Sequence, residues 1–200
     1  MGILLRIGSY ILHPLFIPII GWLLYIGIQP VQSWSIIIQH TYKDMLLFTL
    51  VIPALFWIYL KLRKKISHWD VTNVKQRMIP LLLYALCLIA LLAFGKLDYT
   101  IPLKAFIYGT LSSVLTAWLL VFFKIKASLH QMATSALLIF CICLSIYFKI
   151  NLLLYIAVLI LANGWVASSR LYLKRHNPTE LILGFIIGAI PQFYLVTYWL

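Results

Sequence analysis

The run LLLYIAVLILANGWVA, Leu152 to Ala167, carries no charge, and Asn163 is its one strongly polar side chain. A second run, MLLFTLVIPALFWIYL from Met45 to Leu60, repeats the pattern. Crossing a hydrocarbon core of about 30 Å takes about 20 residues of helix, and each run reaches that length with its flanks. Lipid offers no hydrogen-bond partners, so a spanning segment is a helix or part of a closed barrel. Barrel strands alternate polar and apolar side chains; these runs are continuous. The composition agrees: 64% of the chain is hydrophobic and the mean hydropathy is +1.03, which excludes a soluble globular protein. The fold class read from this is all-α, a polytopic helical bundle with six or seven transmembrane helices.

Seven spans are expected, at about 10–29, 44–61, 80–95, 103–123, 132–148, 151–169 and 181–199. The first contains His13, Pro14 and Pro18, which can break it or leave it partly interfacial. The fifth and sixth are joined by a short turn at Lys149 to Asn151. The spans sort the loops onto two sides. The N-terminus and loops 62–79, 124–131 and 170–180 share one side, with twelve of the sixteen lysines and arginines. Loops 30–43, 96–102 and 149–150 share the other with the C-terminus. The start of the chain has Arg6 but no evident cleavage site, so the first run is read as a retained span.

Against this basic surplus stand four acids, Asp44, Asp70, Asp98 and Glu180. They are scattered, so no paired-aspartate magnesium site is expected, which argues against a metal-dependent diphosphate enzyme. Cys87, Cys141 and Cys143 fall inside apolar runs and read as small hydrophobes, without disulfide or zinc spacing. No metal and no cofactor is expected. The surplus suits anionic headgroups or an anionic substrate, and no nucleic-acid partner is expected.

Three polar clusters lie on the twelve-charge side: Lys75-Gln-Arg77-Met-Ile-Pro80, then Lys126-Ala-Ser128-Leu-His130, then Ser169-Arg170, five residues, His176, three residues, Glu180. Two spans separate each cluster from the next, so all three return to one membrane face. Together they resemble the type 2 phosphatidic acid phosphatase superfamily, the lipid phosphatases related to vanadium haloperoxidases. That family shows Lys-x6-Arg-Pro, Pro-Ser-Gly-His and Ser-Arg-x5-His-x3-Asp. The resemblance covers roughly residues 70–190. The chain departs from it at Glu180, Ala127, Leu129 and Pro80, and Asp70 stands where the first motif has lysine.

The resemblance implies a division into N-terminal helices with a basic loop, 1–69, and a catalytic helical core, 70–200. It implies that His176 attacks phosphorus, that Glu180 orients its imidazole, and that His130 protonates the leaving alkoxide. Arg170, Arg77, Ser128, Lys75 and Lys126 would bind the phosphate. Phosphoryl transfer needs these parts: donors around the phosphate oxygens, an in-line nucleophile and an acid. Arginine suits the first because its planar fork matches phosphate. Asn177-Pro-Thr-Glu180 is equally a good helix start, with Glu180 as the reciprocal half of a capping box, and that reading stays open here. His13, His40 and His68 are read as structural.

The implied activity is a metal-independent phosphatase acting on a phosphorylated lipid in a bacterial inner membrane. The alternative is a protein of the same fold that binds or transports such a lipid without turnover. Charge counting puts the motif face in the cytoplasm, whereas bacterial members of the family commonly present it to the periplasm.

Overall fold

The structure, a computed structural model, describes residues 2–65, 73–97 and 100–199. Asp70, His68 and Asp98 lie outside the described residues, as does the expected division between 69 and 70. Helices run α1 (Gly2–Ile11), α2 (Ile17–Ile28), α3 (Val31–Leu46), α4 (Ile52–Leu62), α5 (Met78–Phe94), α6 (Ile101–Phe122), α7 (Leu129–Phe148), α8 (Leu153–Tyr172) and α9 (Pro178–Leu195). The chain is an all-α bundle, and six of its helical stretches are long and apolar enough to cross a membrane. Its outer surface is apolar, with Leu153, Leu154, Val158 and Leu161 of α8 among the exposed side chains. That is the surface an integral membrane protein turns to lipid.

The first expected span is broken. Pro14 has no N–H to give a helix and disfavours helical backbone at His13, so α1 stops at Ile11 and α2 starts afresh with Pro18 in its first turn. With 12 residues, α2 is about 18 Å long, shorter than the hydrocarbon core. The segment still runs the length of α7. His13 packs on His130 at the start of α7, and Tyr25 packs on Phe148 at its end.

The second departure is α3, which occupies most of the expected loop 30–43. Its polar side chains hid a helix that is held by α2: Trp22 Nε1 donates to Thr41 Oγ1 at 2.8 Å. A widened turn at Leu47–Val51 joins α3 to α4, making one helical stretch from Ser33 to Leu62. Such a turn lies where Pro53 would otherwise clash with the preceding turn's carbonyl.

α7 is the most enclosed helix, and α9 packs closest to it. Gly184 and Gly188 make this possible, since a Cβ on either would overlap the α7 backbone at Ser128 or Met132. Small residues four apart let membrane helices approach in this way. Ser135 Oγ then donates to Phe185 O at 3.0 Å. From α6, Ser113 Oγ donates to Ile187 O at 2.9 Å. Gln192 Nε2 returns a bond to Phe106 O at 3.0 Å. At the top of the pair, Ser128 N donates to Glu180 O at 3.0 Å. This contact fixes the start of α9 against the start of α7. One apolar core joins Trp22, Tyr25 and Met45 to Leu88, Phe106, Phe140 and Leu144, so the N-terminal helices share the core of the rest.

Four lysines stand just beyond or at helix ends in left-handed backbone: Lys64, Lys124, Lys149 and Lys174. The residue after each lysine closes the helix with a bond to the carbonyl five residues back, as Arg175 N does to Arg170 O at 3.1 Å. A cation there also meets the negative end of the helix dipole. Part of the basic character of the loops therefore serves the helix ends.

Candidate active site

Three helices, α5, α7 and α9, begin at the same end of the bundle, and α4, α6 and α8 finish there. A pocket opens at this end. Its polar wall contains Arg77, His130, Arg170, His176 and His13. Its apolar wall descends between α4 and α5 past Phe56, Trp57, Leu60, Leu81 and Tyr84.

His176 sits in the loop between α8 and α9, outside the membrane-spanning segments, and is buried. Its Nδ1 lies 2.5 Å from Glu180 Oε2. Burial, followed by the charges of Lys126, Arg77 and Arg170, pulls its pKa down to about 2. The ring is therefore neutral at physiological pH. With Nδ1–H donated to the carboxylate, Nε2 keeps its lone pair, which is the state a nucleophile requires.

The backbone and the carboxylate of Glu180 have different partners. The cap is made by the Glu180 backbone, whose N–H donates to Asn177 Oδ1 at 2.8 Å. The Glu180 carboxylate turns to His176 and to Lys126 Nζ, the latter at 3.3 Å. Leu129 opens α7 and lines the pocket.

Arg77 and Arg170 are both buried. Arg77 Nη1 donates to Ala127 O at 2.7 Å, which ties the start of α5 to the segment before α7. Arg170 ends α8. Its neighbour Ser169 donates through Oγ to Leu5 O at 2.5 Å, anchoring α1 beside the site. Pro80, displaced from the family position, lines the pocket from the first turn of α5.

The remaining expected phosphate ligands stand elsewhere. Lys126 donates to Arg175 O at 2.6 Å and pairs with Glu180, so its ammonium braces the carboxylate instead of lining the pocket. Ser128 is fully buried as the N-cap of α7, its Oγ accepting from Gln131 N at 3.4 Å. Lys75 is exposed and lines a separate depression with Lys65 and Gln76.

His13, read from the sequence as structural, is the addition. Its ring lies 5.3 Å from that of His130, edge to face. The signal was present in Pro14 and Pro18, but nothing local says where a broken span folds back. Among the described residues, no three His, Cys, Asp or Glu side chains gather as a metal site would need.

Comparison with protein-family models, with curated proteins and with solved structures returned no match.

Proposed function

We propose that the chain is a metal-independent phosphatase that hydrolyses a phosphate monoester or diphosphate of a membrane lipid. The carrying observation is the His176–Glu180 pair at 2.5 Å in a pocket that also holds Arg77, Arg170 and His130. The order of the three clusters and the spacing of the third, which resemble those of type 2 phosphatidic acid phosphatases, support the same reading and a bacterial inner membrane as its location.

In the first step His176 Nε2 attacks phosphorus and the P–O bond to the lipid breaks. Arg77 and Arg170 hold the phosphoryl oxygens as charge shifts among them. His130 gives its proton to the departing alkoxide. The imidazole of the phosphohistidine is cationic, and Glu180 faces it through Nδ1–H. In the second step His130 takes a proton from water, the hydroxide attacks phosphorus, and the N–P bond breaks. Inorganic phosphate leaves and both histidines return to their starting states. The apolar wall between α4 and α5 suits the hydrocarbon part of the substrate.

The test is phosphate release by the purified protein from dioctanoyl phosphatidic acid and from a polyprenyl diphosphate, in the presence of a chelator. Vanadate-sensitive release from either is expected. Binding of both without release supports instead the non-catalytic lipid-binding reading.

A further inference from the structure

We propose that His13 is a positioning residue for His130, so that the site is built from three histidines and includes the proline break of the first span. The inference rests on the phosphatase reading above and adds to it a segment outside the three motifs.

Three observations support it. The His13 ring meets the His130 ring at 5.3 Å with an interplanar angle of 85°, an arrangement that aromatic pairs favour and that fixes both planes. Phe16 packs on His13 at 6.2 Å and 68°, and Leu15 N approaches His13 Nδ1 at 3.4 Å. The ring is thus held by its own turn. The turn is held in its turn by α1, through the bond from Ser169 to Leu5 and the packing of Gly8 beneath Trp165. His13 also lines the pocket itself, beside Arg170 and His176.

The chemistry asks for such a group. A general acid must aim its N–H at the leaving oxygen, and an error of about 1 Å in such a placement can cost about a hundredfold. Glu180 orients His176 and is braced by Lys126. The ring packed against His130 is His13.

The test exploits the leaving group. An acid matters for a poor leaving group such as the glycerol alkoxide of dioctanoyl phosphatidic acid. It matters little for 4-nitrophenyl phosphate, whose phenolate departs unaided. Turnover and KM are measured on both substrates for wild type, His13→Ala and His13→Phe. His13→Ala is expected to lower kcat/KM on the lipid, which reports the steps up to release of the leaving group, by about ten- to a hundredfold, with kcat/KM on the aryl substrate within about threefold; kcat, which includes the attack of the water that His130 activates, falls on both. His13→Phe keeps a ring against His130 and is expected to recover most of the lipid activity. Equal losses of kcat/KM on both substrates would make the role one of folding and overturn the proposal. So would no loss on either. A Phe variant as poor as Ala would show that ring packing on His130 is not what His13 supplies, which also overturns the proposal. A wild-type protein that cleaves neither substrate overturns the phosphatase reading itself, an outcome separate from all of these.

Discussion

Replacing Glu180 with Gln separates orientation of the nucleophile from capping of the last helix. The cap is carried by the backbone bond from Glu180 N to Asn177 Oδ1, at 2.8 Å, and glutamine keeps it. The charge lost from the first turn of α9 is worth about 0.3–1 kcal/mol, so melting should shift by only a few degrees. Catalysis should respond differently. When phosphate transfers to Nε2 the imidazole becomes a cation facing the carboxylate across a contact of 2.5 Å. Unit charges about 4 Å apart interact by about 4 kcal/mol at an effective dielectric of about 20. Lys126 shares the same oxygen, at 3.3 Å, and Glu180 keeps some solvent access, which lowers the net effect to about 2.7 kcal/mol, or a hundredfold in turnover. KM should change little, because the charge develops after binding. Glu180→Asp, which supplies the family residue with a shorter reach, should be milder. The assay is initial-rate phosphate release from dioctanoyl phosphatidic acid, with melting followed in the same detergent. A Gln variant within threefold of wild-type turnover refutes the reasoning and returns Glu180 to the helix cap.

Three further outcomes are expected. The pKa of His176 is lowered in the folded chain to about 2, while the unfolded chain binds its proton near 6.5. Stability should therefore be full above about pH 6.5 and fall by roughly 1–2 kcal/mol toward pH 5. His176→Asn should flatten that part of the melting profile, and an unchanged slope would contradict it. Gly188→Val forces a side chain into the Met132 carbonyl and Ser135. It should destabilise by about 3 kcal/mol or more, whereas Gly27→Val, where a Cβ meets nothing, should fold as wild type. A periplasm-dependent reporter fused after Leu200 should be active, since charge counting puts the motif end of the bundle in the cytoplasm; activity only of a cytoplasmic reporter would invert the topology.

The sequence was most legible where one local rule decided the outcome. Continuous apolar runs leave helix as the structure that satisfies the backbone in lipid, and α5 to α9 lie close to the expected spans. The Ser169-Arg170, His176, Glu180 spacing was equally readable. It places a carboxylate one turn after a histidine at the mouth of a helix, and the pair forms across that turn. Legibility failed where a distant partner decided. The polar stretch 30–43 looks like a loop until Trp22 meets Thr41. That Lys126, expected at the phosphate, pairs with Glu180, one of four acids in the chain, is a contact set by the packing of two distant segments. His13 stands far from His130 in sequence, and only the packing of the break onto the start of α7 brings the rings together. The close approach of α9 to α7 at Gly184 and Gly188 became visible only in the bundle, where a Cβ on either would meet the backbone at Ser128 or Met132.

The central claim is that His176 carries the phosphoryl group between the two steps. It is tested most directly by rapid acid-free quenching during turnover of a radiolabelled lipid phosphate, followed by peptide mapping of the protein. Label that survives alkali, is lost in acid and maps to His176 is expected, with none in His176→Ala and no turnover by that variant. Turnover by wild type with no label on His176, or turnover by His176→Ala within threefold of wild type, would contradict it.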